Sequence, residues 1–103
     1  MSDKKYTVII SEKAMSMLIS HVRFLAQVSV NAASKLKAEL IKEMEALDHM
    51  PEIYPWLNSE YIPANKYRKK LVHKRYLLIY QIVDDTVYID YIVDCRQDYQ
   101  WLI

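Results

Sequence analysis

The spacing of apolar residues is helical over residues 12–49 of this chain and typical of β-strands before and after that region. Apolar side chains recur every three or four residues over residues 12–27, and again from Ser29 or Asn31 to about His49. A short β-branched run precedes them, and alternating or continuous apolar runs follow. The strands are predicted at residues 6–10, 67–72, 76–83 and 86–93. The predicted order is β-α-α-β-β-β, an α+β fold in a single domain over residues 1–103.

The short connections define how these elements pack. Two helices separated by a few residues form an antiparallel hairpin, and three strands joined by short turns form an antiparallel meander. Each helix carries one narrow apolar stripe, so we expect the hairpin to cover one face of the sheet and leave the other open. The apolar stripe of the first helix is predicted to contain Met15, Leu18, Val22 and Leu25. The last strand is predicted to place Val87, Ile89, Tyr91 and Val93 on one face, opposite Tyr88, Asp90 and Ile92.

Glycine is absent from the chain, which excludes the glycine-rich loops that bind phosphates and dinucleotides. Backbone positions that need a positive φ are therefore expected at asparagine or aspartate. The candidates are Asn58, Asn65, Asp84 and Asp85. Three scattered histidines and one cysteine match no zinc pattern, so we predict neither a metal nor a cofactor.

The single cysteine, Cys95, cannot form an internal disulfide, which suits a reducing compartment. The first residues contain no apolar run typical of a signal peptide, and no stretch approaches the roughly 20 apolar residues that a membrane span needs. These features predict a cytoplasmic protein with no membrane partner.

Positive charge is concentrated in one short segment. The net charge is only +1, but six of the 14 Lys and Arg residues lie within residues 66–75, where there is no acid. Binding to a polyanion depends on local positive potential more than on net charge. The sequence therefore predicts one basic patch on an otherwise balanced protein.

Three segments in the same order resemble the RelE/ParE toxin superfamily. Residues 47–51 (LDHMP) fit a Leu-x-x-x-Pro segment at the end of the second helix. Residues 67–72 (YRKKLV), followed by 76–82 (YLLIYQI), are similar to the superfamily core YRKL…YLIxYxI. Residues 93–99 (VDCRQDY) are similar to the C-terminal motif of the superfamily, HGRxDW/Y. The resemblance covers nearly the whole chain and implies a toxin that is held inactive by a cognate antitoxin protein.

The chain departs from this pattern at three places. Asp94 and Cys95 stand where the superfamily usually has His-Gly, and the segment between Tyr67 and Tyr76 is one residue longer. RelE-type toxins often carry an arginine just after the tyrosine that opens the central strand, and this chain has Leu77 there. The last departure favours either the ParE-like side of the superfamily or a weak or divergent nuclease.

For an RNA-cleaving toxin, metal-free cleavage needs cations around the scissile phosphate, where negative charge builds up in the transition state. The resemblance places Arg68, Lys70 and Arg96 in that role, with Tyr99 or His73 moving protons. The remaining cations of the segment are predicted to bind RNA, namely Lys66, Lys69, Lys74 and Arg75. Alternation along the strand predicts Lys66, Arg68 and Lys70 on one face and Lys69 on the other.

Each candidate also has a structural interpretation. A lysine-rich edge strand blocks aggregation without binding anything. Arg96 can form an exposed ion pair with Asp94 or Asp98. Tyr99 can anchor the C-terminal segment by packing on the sheet, and His73 can be a solvated turn residue.

Three functions remain open from the sequence. The first is a metal-independent endoribonuclease that cuts mRNA, perhaps on the ribosome, and so inhibits translation. The second is a ParE-like protein that binds and poisons DNA gyrase without chemistry of its own. The third is a family member without toxicity.

Overall fold

The computed structural model describes residues 4–58 and 60–95. Its strands are β1 (Thr7–Ile10), β2 (Arg68–Val72), β3 (Tyr76–Val83) and β4 (Thr86–Asp94). Its helices are α1 (Glu12–Ala26) and α2 (Val30–Glu45), and two short 3-10 turns follow α2 at Ala46–Asp48 and Pro51–Ile53. The predicted order β-α-α-β-β-β and the α+β class are confirmed.

Both helices begin at a serine cap. The Ser11 hydroxyl accepts a hydrogen bond from the Ala14 backbone N–H at 3.0 Å, and the Ser29 hydroxyl accepts one from Ala32 at 3.1 Å. Each serine satisfies a backbone donor that the first helical turn leaves without an intrahelical acceptor. Of the two caps considered for α2, the chain therefore uses Ser29.

The four strands form one mixed sheet in the order β1-β4-β3-β2. The three C-terminal strands are the predicted antiparallel meander, whereas β1 lies parallel to β4. Parallel strands need a crossover connection, and the helix hairpin lies within it. The turn between β3 and β4 has a positive φ at Asp84 (54°), and the turn between β2 and β3 has positive φ at His73 (55°) and Lys74 (57°).

A bulge in β4 changes which side chains face the helices. Strand β3 pairs with β4 on both sides of Asp90, which is left out of the pairing register. The predicted alternation is therefore wrong beyond Asp90. Ile92 packs in the core on the helix side, whereas Tyr91 and Val93 pack on the opposite face.

The main core lies between the helix hairpin and one face of the sheet. Its fully buried members come from both layers and include Leu18, Leu40, Met44, Leu78 and Tyr80. Met15 was predicted in this core, but its side chain is 36% exposed because Ala14 and Leu18 define the buried stripe of α1.

The opposite sheet face is not fully open, because the segment after the second 3-10 turn lies over part of it. Leu57 packs there in a small cluster with Leu77, Ile79 and Val93. Among the described residues, the face that we expected to be free stays open beside β2, where Leu71 is 55% exposed, and at β1, where Ile9 is 44% exposed.

The Tyr80 hydroxyl is fully buried and donates a hydrogen bond to the Pro51 carbonyl at 2.6 Å. Tyr80→Phe is expected to lower the free energy of unfolding by about 1–3 kcal/mol, because it leaves that carbonyl without its donor. Urea unfolding monitored by circular dichroism measures the change. Tyr88→Phe is the matched control, since the Tyr88 hydroxyl has no hydrogen bond among the described residues. Equal losses in both variants would contradict this role of Tyr80.

Candidate functional site

The basic segment divides between the two faces of the sheet as predicted, but its two central cations lie on the covered face. Lys70 contacts α2, and Arg68 contacts the segment that follows the helices. Lys69 and Leu71 lie on the opposite face, where they line a surface cavity. The predicted alternation is therefore correct, and the helix hairpin covers the face that carries Lys70.

Lys70 is a buried cation whose charge is compensated within the fold. Only 7% of the residue is exposed. Its ammonium lies 2.9 Å from the Glu43 carboxylate and donates a hydrogen bond to the Glu43 carbonyl at 3.1 Å. The same group lies 5.2 Å from the centre of the Tyr54 ring. These contacts tie β2 to the last turns of α2 and leave little of the ammonium for a phosphate.

Arg68 joins β2 to the segment that follows the helices. Its guanidinium donates hydrogen bonds to the carbonyls of Glu52 (3.0 Å) and Tyr54 (2.7 Å). Its other contact is with the Trp56 ring, whose centre lies 3.8 Å from Cζ. A planar guanidinium suits this combination of two carbonyls and a stacked ring. Through these contacts the Tyr54 carbonyl and the Trp56 ring hold this segment against β2.

Three more predicted site residues have partners within the fold. Arg75 pairs with the buried carboxylate of Asp94 at 3.2 Å. The His73 ring lies 3.5 Å from the Glu39 carboxylate of α2. The Lys66 ammonium lies over the Tyr67 ring, 5.3 Å from its centre. The cations of residues 66–75 are therefore spread over several contacts and do not converge on one point.

Arg96 and Tyr99 lie outside the described residues. The expected convergence of Arg96 with Arg68 and Lys70 therefore stays a prediction, as does the role of Tyr99 in proton transfer. The last described residue, Cys95, lines the same cavity as Lys69.

Lys69 and Lys74 differ from the other cations of the segment, because no charged group or aromatic ring of the described residues holds their ammonium groups. They lie at a surface cavity of about 580 Å³. The rest of its lining is Tyr54, Pro55, Leu71, Leu77 and Cys95. Neither ammonium forms an ion pair or a hydrogen bond with the part of the chain that is described. We call this surface the β2 patch.

The β2 patch combines two charges with exposed apolar area. Leu71 is 55% exposed although it lies in a strand between basic residues. Sequence reasoning missed its contribution, and the available indication was an apolar residue on the same strand face as Lys69. Such a mixed surface suits a partner that presents acidic and apolar side chains together.

The resolved pKa shifts do not supply a proton-transfer group at neutral pH. Burial and the Asp90 carboxylate raise the pKa of Tyr67 to about 12. Burial, assisted by the charge of Asp94, also raises the pKa of the Cys95 thiol. A thiol with a raised pKa is a poor nucleophile at pH 7. The shifts observed in the described residues therefore give no sign of an activated acid or base.

Within residues 4–58 and 60–95, no three His, Cys, Asp or Glu side chains are grouped as a metal site would need. None of the helices there is both long enough and apolar enough to cross a bilayer.

The Lys70 ammonium beside Glu43 lowers the pKa of that carboxyl below its ordinary value of 4.5. The folded protein thus binds fewer protons at this site than the unfolded chain, so the stabilisation is complete above about pH 4.5 and is lost as the pH falls through the folded pKa. We expect Glu43→Gln to flatten the acid limb of a plot of unfolding free energy against pH. Glu45→Gln, on the exposed side of α2, is the control and should leave this limb unchanged. An identical acid limb in wild type and Glu43→Gln would exclude the linkage.

The family model described as "ParE toxin of type II toxin-antitoxin system, parDE" matches residues 8–99. A solved structure described as "Chromosomal ParDE TA system from P. aeruginosa" is similar in fold, with a TM-score of 0.73 and 13% sequence identity. The match covers 89% of this chain and 98% of that chain. No curated protein matches the sequence.

Proposed function

Because the chain belongs to the family of ParE toxins of type II toxin–antitoxin systems, we propose that it is the toxin of such a pair and poisons DNA gyrase by binding it. The main support for binding without RNA cleavage is that Arg68 and Lys70 both have partners within the fold. Arg68 holds two backbone carbonyls and Lys70 is paired with Glu43. An RNA-cleaving site would need these charges at a phosphate. Binding without chemistry needs neither of them free.

Leu77 also supports binding over RNA cleavage. The RelE-type pattern often has an arginine at this point of the central strand, and here the residue is a leucine that is 7% exposed. Its side chain packs with Leu57, Ile79 and Val93 and forms part of the β2 patch. An apolar side chain here extends a contact surface but does not bind a phosphate.

We propose the β2 patch as the surface that contacts gyrase. Lys69 and Lys74 would pair with acidic side chains of the enzyme, while Leu71 would enter an apolar contact. The cognate antitoxin is the second partner that the family implies, and an acidic and apolar segment of it would cover the same patch. The toxin would meet both gyrase and the antitoxin in the cytoplasm.

The test is a supercoiling assay with purified toxin and gyrase. Wild-type toxin is expected to inhibit supercoiling and to accumulate gyrase-dependent DNA breaks. Lys69→Glu/Lys74→Glu should weaken inhibition by about tenfold or more, since it places like charges against the acidic partner. Lys35→Glu/Lys37→Glu, on the exposed part of α2, is the control and should inhibit like wild type. Full inhibition by the patch variant would exclude the patch, and no inhibition by wild type would exclude gyrase.

The β2 patch also favours a second candidate function, metal-independent cleavage of mRNA on the ribosome. Its two open ammonium groups lie beside Cys95, and Arg96 is the next residue in the chain. Induced expression separates the candidates. A DNA-damage response supports gyrase poisoning, whereas rapid loss of translation with cut mRNA supports cleavage. An RNA-cleaving toxin should lose activity in Arg96→Ala, and absence of growth arrest would indicate a member without toxicity.

A further inference from the structure

The outward face of α1 exposes apolar side chains that neither the core nor the β2 patch uses. Met15, Ile19 and Phe24 are 36%, 42% and 57% exposed. They lie along a shallow groove on the helix layer, on the side of the molecule away from the β2 patch. Its other lining residues are Glu12, Ser16, Ser20, Arg23 and Gln27. An apolar stripe of this kind on a surface helix indicates a contact.

Six residues of this groove, excluding Phe24, occupy positions that are symmetric about the middle of the helix. Glu12 and Arg23 are equally distant from the point between Met17 and Leu18. Met15 and Ser20 are also equally distant from that point, as are Ser16 and Ile19. A surface with this arrangement can meet a copy of itself when the two helices run antiparallel.

A two-fold axis through that midpoint gives complementary contacts. Glu12 faces Arg23 of the second copy, and Arg23 faces Glu12 of the second copy, so two ion pairs close the ends. On one side of the line along which the two helices touch, Met15 contacts Ile19 of the second copy. On the other side Ser16 and Ser20 meet, and their small side chains allow the helices to approach closely. We infer that α1 is the interface of a homodimer in which two copies of this helix pack antiparallel.

This occupant fits better than a helix of another sequence, because an unrelated partner places no symmetry requirement on α1. In α1 the charges of Glu12 and Arg23 are opposite, and both lie at the same distance from the middle of the helix, so each can pair with the other in an antiparallel copy. A single helix pair lies at the small end of protein interfaces. We therefore expect reversible association in the micromolar range and not an obligate dimer.

Sedimentation velocity of the purified full chain over about a hundredfold range of concentration tests the interface. Wild type is expected to shift from monomer to dimer. Arg23→Glu should weaken association by about tenfold or more, because it places a second acid opposite Glu12. Glu12→Arg should weaken it equally. The double variant Glu12→Arg/Arg23→Glu should restore association, because each pair is re-formed with reversed sign.

The controls separate this result from loss of folding. Both reversals oppose the helix dipole, so circular dichroism must show each variant folded before its association is compared. Lys35→Glu on α2 should associate like wild type. A monomer at every concentration would overturn the inference, as would single reversals without effect or a double variant that fails to recover. Weaker antitoxin binding by the single reversals, with wild type monomeric, would assign the stripe to the antitoxin and would equally overturn it.

Discussion

Replacing Arg68 by alanine is expected to lower the free energy of unfolding by about 2–4 kcal/mol. The variant loses two charge-assisted hydrogen bonds, to the carbonyls of Glu52 and Tyr54, and the stacking contact with Trp56. The backbone bridge between Trp56 and residue 68 remains in the variant, but no side chain at position 68 supports it any longer. We therefore also expect faster hydrogen exchange in residues 52–57 than in the helices.

Lys69→Ala is the matched control for this variant. It removes a neighbouring cation from the same strand, but from the face where no ion pair or hydrogen bond is lost within the described residues. Its unfolding free energy should stay within about 0.5 kcal/mol of wild type. Arg68→Lys keeps the charge but loses the planar fork, so it should recover less than half of the loss. Equal stability of Arg68→Ala and Lys69→Ala would show that Arg68 does not hold the segment.

Lys70→Ala is expected to lower the free energy of unfolding by about 2–4 kcal/mol. It removes a buried ammonium and the packing of its stem, and it leaves the Glu43 carboxylate without its cation. The loss stays below that of a fully buried ion pair because the Glu43 side chain is 38% exposed and water can solvate it. Chemical denaturation measures the effect against the same Lys69→Ala control. A loss under about 0.5 kcal/mol would contradict the structural role of Lys70.

The element order was predictable because both helices carry a periodic apolar pattern and the strands are β-branched, alternating or continuous apolar runs. Asn65 and Asp84 take the positive φ expected of them, whereas Asn58 and Asp85 do not. Met50, His73 and Lys74 take positive φ unexpectedly, because a chain without glycine must use other residues where a turn requires that conformation. The bulge at Asp90 was equally hidden, since it depends on pairing with β3 and not on the local sequence of β4.

The orientation of β2 could not be predicted for a different reason. Alternation separates Arg68, Lys70 and Val72 from Lys69 and Leu71, so each face mixes basic and apolar residues and the face of Lys70 carries one more cation. The local pattern therefore does not predict that the face of Lys70 is the buried one. Tertiary contact decides between them, because Glu43 of α2 provides a partner for Lys70. In the structure the predicted phosphate site is divided, since Arg68, Lys70 and Arg75 have polar partners within the fold whereas Lys69 and Lys74 line the β2 patch.

Replacing the Lys70–Glu43 pair by apolar residues tests most directly whether these charges serve the fold or a target. Exchange of a buried ion pair for apolar residues of similar size is often neutral or stabilising, so Lys70→Met/Glu43→Leu should fold with nearly wild-type stability. We predict that this double variant still arrests growth on induction and still inhibits gyrase as wild type does. A stably folded double variant that has lost its toxicity would show that the Lys70 ammonium acts on the target, and would contradict the account given for this toxin.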